Sequence, residues 1–145
     1  MSAEQNKAIA RRIPLEAFNK GNLAVFDEVL AANYVDHSPP PGFPAGREGY
    51  KRFVPLLRTA FPDLKLTLEQ ELADGDKVVH YVTTHGTHKG EFMGISPTQK
   101  KVTWTQLHIV RLADGKVVEH WGVIDQLGLL QQLGAIPAMM PAMMK

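Results

Sequence analysis

Hydrophobic positions change period twice along the chain, and the two changes divide it into a helical half, a stranded half and a short helical close. Ile9, Ile13 and Ala17 fall on one helical face, and Ser2 followed by Gln5 has capping-box spacing, so a helix is predicted over residues 3–19. Pro14 interrupts it and predicts a kink, because proline removes a backbone donor and its ring crowds the preceding turn. Asn22 is placed to cap a second helix whose Leu23, Phe26, Val29 and Leu30 face the core. The segment Asn33-Tyr34-Val35-Asp36-His37 then runs extended into a loop over 38–46, stiffened by Pro39, Pro40, Pro41 and Pro44. Tyr50, Phe53, Val54, Leu57 and Phe61 restore helical spacing over 47–60; Pro55 implies a bend and Pro62 a stop.

From Asp63 the period becomes two. Leu64, Leu66, Leu68 and Leu72 alternate with Lys65, Thr67, Glu69 and Glu71, and strands are predicted at 64–72, 77–88, 100–112 and 116–124. Asp74-Gly75 and Asp114-Gly115 mark tight antiparallel hairpins. A short helix over 127–133 is stopped by Gly134. The apolar tail beyond it, rich in methionine and broken by two prolines, is expected to pack on its own domain or on a second subunit. About three N-terminal helices followed by a meander indicate an α+β domain, with helices covering one face of a curved, mostly antiparallel sheet.

Composition narrows the possibilities. The 145 residues suit one domain spanning 1–145 with a real core. Sixteen Lys and Arg against fifteen Asp and Glu leave a formal charge of +1 with neither a basic stripe nor an acidic block, so neither nucleic acid nor a membrane surface is an expected partner. Without cysteine there is no disulfide, thiol nucleophile or thiolate metal ligand. The first residues lack a signal-peptide pattern, and a cytoplasmic location is expected.

The polar residues of the last hairpin are the candidate chemistry. Gln106, His108, Glu119, His120 and Asp125 stand among apolar neighbours, where a half-buried strand normally keeps its inward positions apolar. Which of them share a face depends on the turn at Ala113-Asp114-Gly115. A two-residue Asp114-Gly115 turn pairs Ala113 with Lys116 and sets His108 opposite Trp121. An Ala113-Asp114 turn with Gly115 as a bulge pairs Leu112 with Lys116, sets His108 opposite His120 and turns Gln106 toward Gly122. The second reading is preferred because it gathers Trp104, Gln106, His108 and His120 on one face, where scattered buried polar groups would each cost about 1–3 kcal/mol.

Four motifs in order, N-Y-V-D-H-S-P at 33–39, A-F-P-D-L at 60–64, G-T-H-K-G-E-F-M-G-I-S-P-T at 86–98 and E-H-W-G-V-I-D-Q-L-G-L-L-Q-Q-L-G at 119–134, resemble the SnoaL-like polyketide cyclases of the nuclear-transport-factor-like superfamily. The resemblance implies a cone-shaped α+β barrel in which the amide and two histidines at Gln106, His108 and His120 point inward. It also implies an acid/base aspartate at the position held here by Gly122, so that an aspartate introduced there is expected to lie between Gln106 and His120. Asp125 is the remaining carboxylate candidate, although its place also suits the cap of the last helix.

The expectation is therefore a cofactor-independent acid/base enzyme acting on a small lipophilic molecule, with His108, His120 and Asp125 in catalytic roles and Gln106, His37, Tyr34, Trp104 and Phe92 lining the pocket. The alternative is a non-catalytic binding module of the same fold. The related epoxide hydrolases use an Asp-Arg-Asp cluster; Arg111 and Asp125 could share a face, but no second aspartate has a place beside them. No metal is expected, because His85 and His88, three apart on a strand, point to opposite faces. A homodimer is expected through the outer face carrying Thr103, Thr105, Leu107 and Ile109.

Overall fold

A computed structural model describes residues 2–137; the methionines of the apolar tail, within 138–145, lie outside the described residues, and so does the expectation for their packing. Helix α1 (Ala3–Arg12) begins at Ser2, whose side chain accepts from the Gln5 amide while the Gln5 side chain accepts from the Ser2 amide. The helix runs on as a π-helical segment, Ile13–Phe18, with Pro14 at its start, so the missing proline donor is accommodated by a locally wider turn rather than by a break. Asn19 fixes this helix to the sheet by exchanging two hydrogen bonds with the Leu66 backbone, at 2.7 and 2.9 Å. Arg58 donates to the free carbonyls of Phe18 and Asn19 at the helix end.

Helix α2 (Ala24–Val29) is capped differently from the expectation. No side chain caps it, and Asn22 contributes only its carbonyl, to the Val25 amide. Leu30, predicted as its last apolar position, instead opens strand β1 (Leu30–Asp36). Helix α3 (Glu48–Ala60) contains Pro55. Strands β2 (Lys65–Asp74), β3 (Lys77–Thr87), β4 (Lys101–Ala113) and β5 (Lys116–Ile124) and helix α4 (Gln126–Leu133) follow, with Gly134 left-handed at φ 80° after the helix. The sheet order is β1-β5-β4-β3-β2, with β1 parallel to β5 and every other pair antiparallel. The architecture is α+β, an unclosed cone with β1 and β2 as the two edges of its sheet. Among the described residues, no helix is long and apolar enough to cross a membrane.

The last hairpin follows neither turn reading in full. Ala113 pairs with Lys116, so Asp114 and Gly115, at φ 52° and 76°, form a two-residue turn of the type that needs left-handed backbone at both positions. The bulge lies further along. Leu112 pairs with Val117 but Arg111 with Glu119, leaving Val118 as the extra residue. Beyond it, His108 lies opposite Gly122 and Val110 opposite His120, which replaces the expected His108 to His120 register. The preferred register was two residues away from this one, and a slip of two keeps every side chain on its expected face.

Two apolar clusters fill the cone. One joins α1, α2 and α3 to the middle of the sheet through Ala10, Val25, Phe26, Leu30, Val54 and Val117. The other gathers Phe61, Leu66, Val82, Trp104, Leu129 and Leu133. Phe61 closes this second cluster down onto β3 at Gly86, where a methyl group would lie 2.8 Å from the Phe61 Cβ. Gly86→Ala is therefore expected to cost about 1–3 kcal/mol through overpacking. Gly46→Ala, where nothing lies within 4 Å, should stay within about 0.5 kcal/mol of the parent, and urea denaturation compares the two.

Candidate active site

Alternation along β4 turns Trp104, Gln106 and His108 to the inside of the cone, and the bulge at Val118 turns His120 to the same side. Strand β1 adds Tyr34 and Asp36, both buried, and α3 lays Tyr50 edge-on to the His120 ring with centroids 5.9 Å apart. Asp36 is 4% exposed and His120 5%. An ionised carboxylate at that depth requires a partner, and Asp36 Oδ1 lies 2.7 Å from His120 Nδ1 while accepting from the Ser38 amide at 2.8 Å.

From this carboxylate a continuous file of hydrogen bonds runs into the cone. His120 Nε2 lies 2.8 Å from His108 Nδ1, and His108 Nε2 lies 2.7 Å from Gln106 Oε1. The Gln106 amide donates to Thr84 Oγ1 at 2.9 Å. The two imidazoles stack with centroids 5.0 Å apart. Burial, followed by the neighbouring His120 and His80, pushes His108 down to about 3, with Asp36 opposing the shift. The phenols of Tyr34 and Tyr50 are pushed up, first by burial and then by the charge of Asp36.

The file forms the wall between two spaces. Outside it lies a cavity of about 350 Å³, bounded by the proline loop at Pro39–41 with Phe43, by Phe53 and Leu57 of α3, and by Trp104. Inside it lies an apolar chamber of about 50 Å³, to which the π-helical segment contributes Ile13, Pro14 and Phe18. Phe18, Tyr50, Gln106, His108 and His120 border both. On the chamber side, His80 Nε2 lies 2.9 Å from Glu71 Oε2, and Glu71 is held in turn by Arg11 at 2.7 Å. Burial pushes Glu71 up, but its bonds to Arg11 and His80 outweigh that and leave it below the usual carboxylate range.

Gly122 explains how the two histidines meet. A Cβ built there would lie 2.7 Å from His108 Nδ1 and 2.9 Å from His120 Nε2, so the link between the rings occupies the room a side chain would need. The expectation that an aspartate at 122 would fit between Gln106 and His120 is corrected by this geometry. Position 122 here leaves two imidazoles in contact at the cavity wall.

Of the residues expected at the site, Gln106, His108, His120, Tyr34 and Trp104 are brought to these two spaces. Three are not. His37 stacks on Trp121 at 4.9 Å and pairs with Glu119 at 2.8 Å, 40% of its side chain exposed, because it follows inward Asp36 on an alternating strand. Phe92 packs edge-on against Phe61 at 5.3 Å in the second core cluster. Asp125 is exposed and caps α4, accepting from the Gly128 amide at 3.0 Å. Arg111 is engaged by Glu119, away from Asp125. His85 and His88 do point apart: His85 is exposed beside Thr103, and His88 is fully buried against Thr98. Asp36, Tyr50 and His80 were missed as site residues. For Asp36 the signal was present, since an inward Tyr34 on a strand implies an inward residue two positions on.

Comparison with known proteins agrees with this architecture. The family model for SnoaL-like polyketide cyclases matches residues 8–133. The chain is 36% identical to aklanonic acid methyl ester cyclase AcmA of Streptomyces galilaeus over 138 residues, covering 91% of this chain and 92% of that protein. It is 29% identical to nogalonic acid methyl ester cyclase of Streptomyces nogalater over 122 residues, covering 83% and 91%. Among solved structures, AclR of Streptomyces galilaeus, a candidate hydroxylase, superposes with a TM-score of 0.84 at 31% identity, covering 99% of this chain and 89% of that one.

Gly122→Ala is expected to force the His108 and His120 rings apart and to lower stability by about 1–3 kcal/mol, with Gly122→Asp costing more because it also buries a charge. Chemical denaturation measures the loss. Side-chain ¹⁵N shifts of the two histidines report the broken link; unchanged shifts in a stable Gly122→Ala protein would refute the packing described here.

Proposed function

Because the chain belongs to the SnoaL-like polyketide cyclase family, we propose that it is a cofactor-independent acid/base enzyme of cyclase type, closing a ring in a small, lipophilic, polyketide-like carbonyl compound. The observation that carries this reading is the hydrogen-bonded row of Gln106, His108 and His120 along one wall of a largely apolar cavity. Ring closure by carbanion addition asks little else of a protein. A base removes a proton from a carbon activated by a neighbouring carbonyl, and the electron pair moves onto that carbonyl oxygen. The resulting carbon nucleophile forms a bond to a second carbonyl of the same molecule, whose oxygen takes the proton back. Atoms balance within one substrate, which is isomerised.

The cavity suits such a molecule. Trp104, Phe53 and Phe43 offer broad walls to a flat ring system, and 350 Å³ lies at the lower end of the range for small-molecule pockets. The curated relatives are named as cyclases of aklanonic and nogalonic acid methyl esters, which supports the reaction type and recommends those esters as first trial substrates.

A non-catalytic binding module is the second reading. It is favoured by the fact that both nitrogens of His108 and of His120 already have partners within the protein.

Incubation with each ester, followed by chromatography for the ring-closed isomer and by NMR in D2O for exchange at the activated carbon, separates the two. The expected outcome is ring closure, with His108→Ala and His120→Ala each slowing exchange by about 10²-fold or more. Binding without exchange in the parent protein would favour the binding module.

A further inference from the structure

His108 presents a contradiction if it works alone. It borders the cavity beside Gln106, as His120 does next to it, yet its surroundings oppose a positive charge: it is largely withdrawn from solvent, His120 and His80 lie close by, and its folded value is pushed down to about 3. An imidazole so placed is a poor base when the proton it accepts has to remain on it. Behind it, however, stands a second imidazole in direct contact with a buried carboxylate.

Resting on the acid/base reading above, we propose that Asp36, which does not meet the substrate, compensates the proton that His108 takes. A proton entering at His108 Nε2 drives the proton on His108 Nδ1 across to His120 Nε2, and His120 becomes the imidazolium held against the Asp36 carboxylate. His108 is neutral before and after.

Hydrogen-bond accounting along the file leads to this assignment. A neutral imidazole donates from one nitrogen and accepts at the other, and a glutamine amide accepts only at oxygen and donates only at nitrogen. In the arrangement observed, Gln106 Oε1 faces His108, so His108 carries its proton on Nε2 and accepts at Nδ1 from His120 Nε2. His120 Nδ1 then meets Asp36 Oδ1 at 2.7 Å with a proton between them, and the file holds an imidazolium and carboxylate pair.

Removing one proton reverses every link. His120 keeps only Nδ1–H toward Asp36, His108 donates from Nδ1 to His120 Nε2, and His108 Nε2 becomes an acceptor. The Gln106 amide then satisfies it by rotating half a turn, placing its NH2 on His108 and its oxygen on the Thr84 hydroxyl. That hydroxyl serves as acceptor in one state and donor in the other. The deprotonated file is the base for the activated carbon, and the protonated file is the acid that returns the proton to the new alkoxide. Asp36, Gln106 and Thr84 act as positioning residues for one shared proton.

The titratable and charged groups facing the file are Tyr34 on β1, Tyr50 on α3 and His80 on β3, with Glu71 on β2 and Arg11 on α1 behind His80. The phenols are held protonated by burial and by Asp36. His80 is pushed down by burial against the pull of Glu71. None of them stands between His120 and Asp36, which lie in direct contact.

Long-range ¹H–¹⁵N spectra of the full-length protein with ¹⁵N-labelled histidine, recorded across pH, test the relay without a substrate. As pH rises, the expected result is one transition in which His120 loses a proton and His108 changes from the Nε2–H to the Nδ1–H tautomer at the same midpoint. Asp36→Asn should move that midpoint down by about 1–3 units and lower the exchange rate by about 10²-fold with KM unchanged. Gln106→Glu, whose carboxylate only accepts, should hold His108 as Nε2–H throughout. A wild-type His108 that keeps one tautomer while His120 titrates, or that becomes doubly protonated itself, overturns the relay. A coupled transition in a protein that turns over no substrate leaves the relay standing and removes the cyclase reading; turnover with a fixed His108 tautomer does the reverse.

Discussion

An ionised carboxylate cannot remain unpartnered in an apolar interior, and Asp36 is the buried charge around which the site is arranged. Its contact with His120 supplies that partner, and the Ser38 amide fixes the same oxygen from the start of the proline loop. Each later element of the file continues from that contact: His120 passes the hydrogen bond to His108, His108 to Gln106, and Gln106 to Thr84, across four of the five strands. Remove the carboxylate and the file loses the charge that justifies a second proton on His120.

Two backbone features make this geometry possible. The extra residue at Val118 moves β5 so that His120 projects into the cone while Lys116 still closes a two-residue turn. Gly122 then leaves the volume in which the two imidazoles touch. A side chain at 122 and a His108 to His120 hydrogen bond compete for one space, and glycine there is what lets the two imidazoles meet. The π-helical segment around Pro14 acts at a greater distance, since its wider turn presents Ile13, Pro14 and Phe18 to the chamber that keeps the rear of the file apolar.

Much of this was legible in the sequence because alternation and helical spacing are strong signals. The α+β class and the positions of all four long strands follow from them, whereas the grouping of Trp104, Gln106, His108 and His120 on one face needed a bulge as well, preferred because it keeps buried polar groups together. The register did not follow, because a bulge in mid-strand carries no turn residue to announce it: nothing about Val118 differs from the valine before it. Only the parity of the pairing mattered for the facing, which is why a register wrong by two residues still grouped the correct side chains. His37 does not line the pocket as expected because Asp36 faces inward, and neighbouring residues on a strand cannot both face inward. Asp125 shows the reverse, a carboxylate with a full local explanation as a helix cap.

On the function proposed above, substrate chemistry takes place at the His108 and Gln106 end of a file anchored on Asp36. A crystal structure with a non-reactive enol analogue of aklanonic acid methyl ester tests it most directly. The ring system is expected between Trp104 and Phe53, with a polar atom of the analogue within about 3 Å of His108 Nε2 and Gln106 displaced or rotated to admit it. An analogue seated on the outer face by Trp121 and His37, or in the cavity with its polar atoms turned from His108 and toward the proline loop, would contradict it.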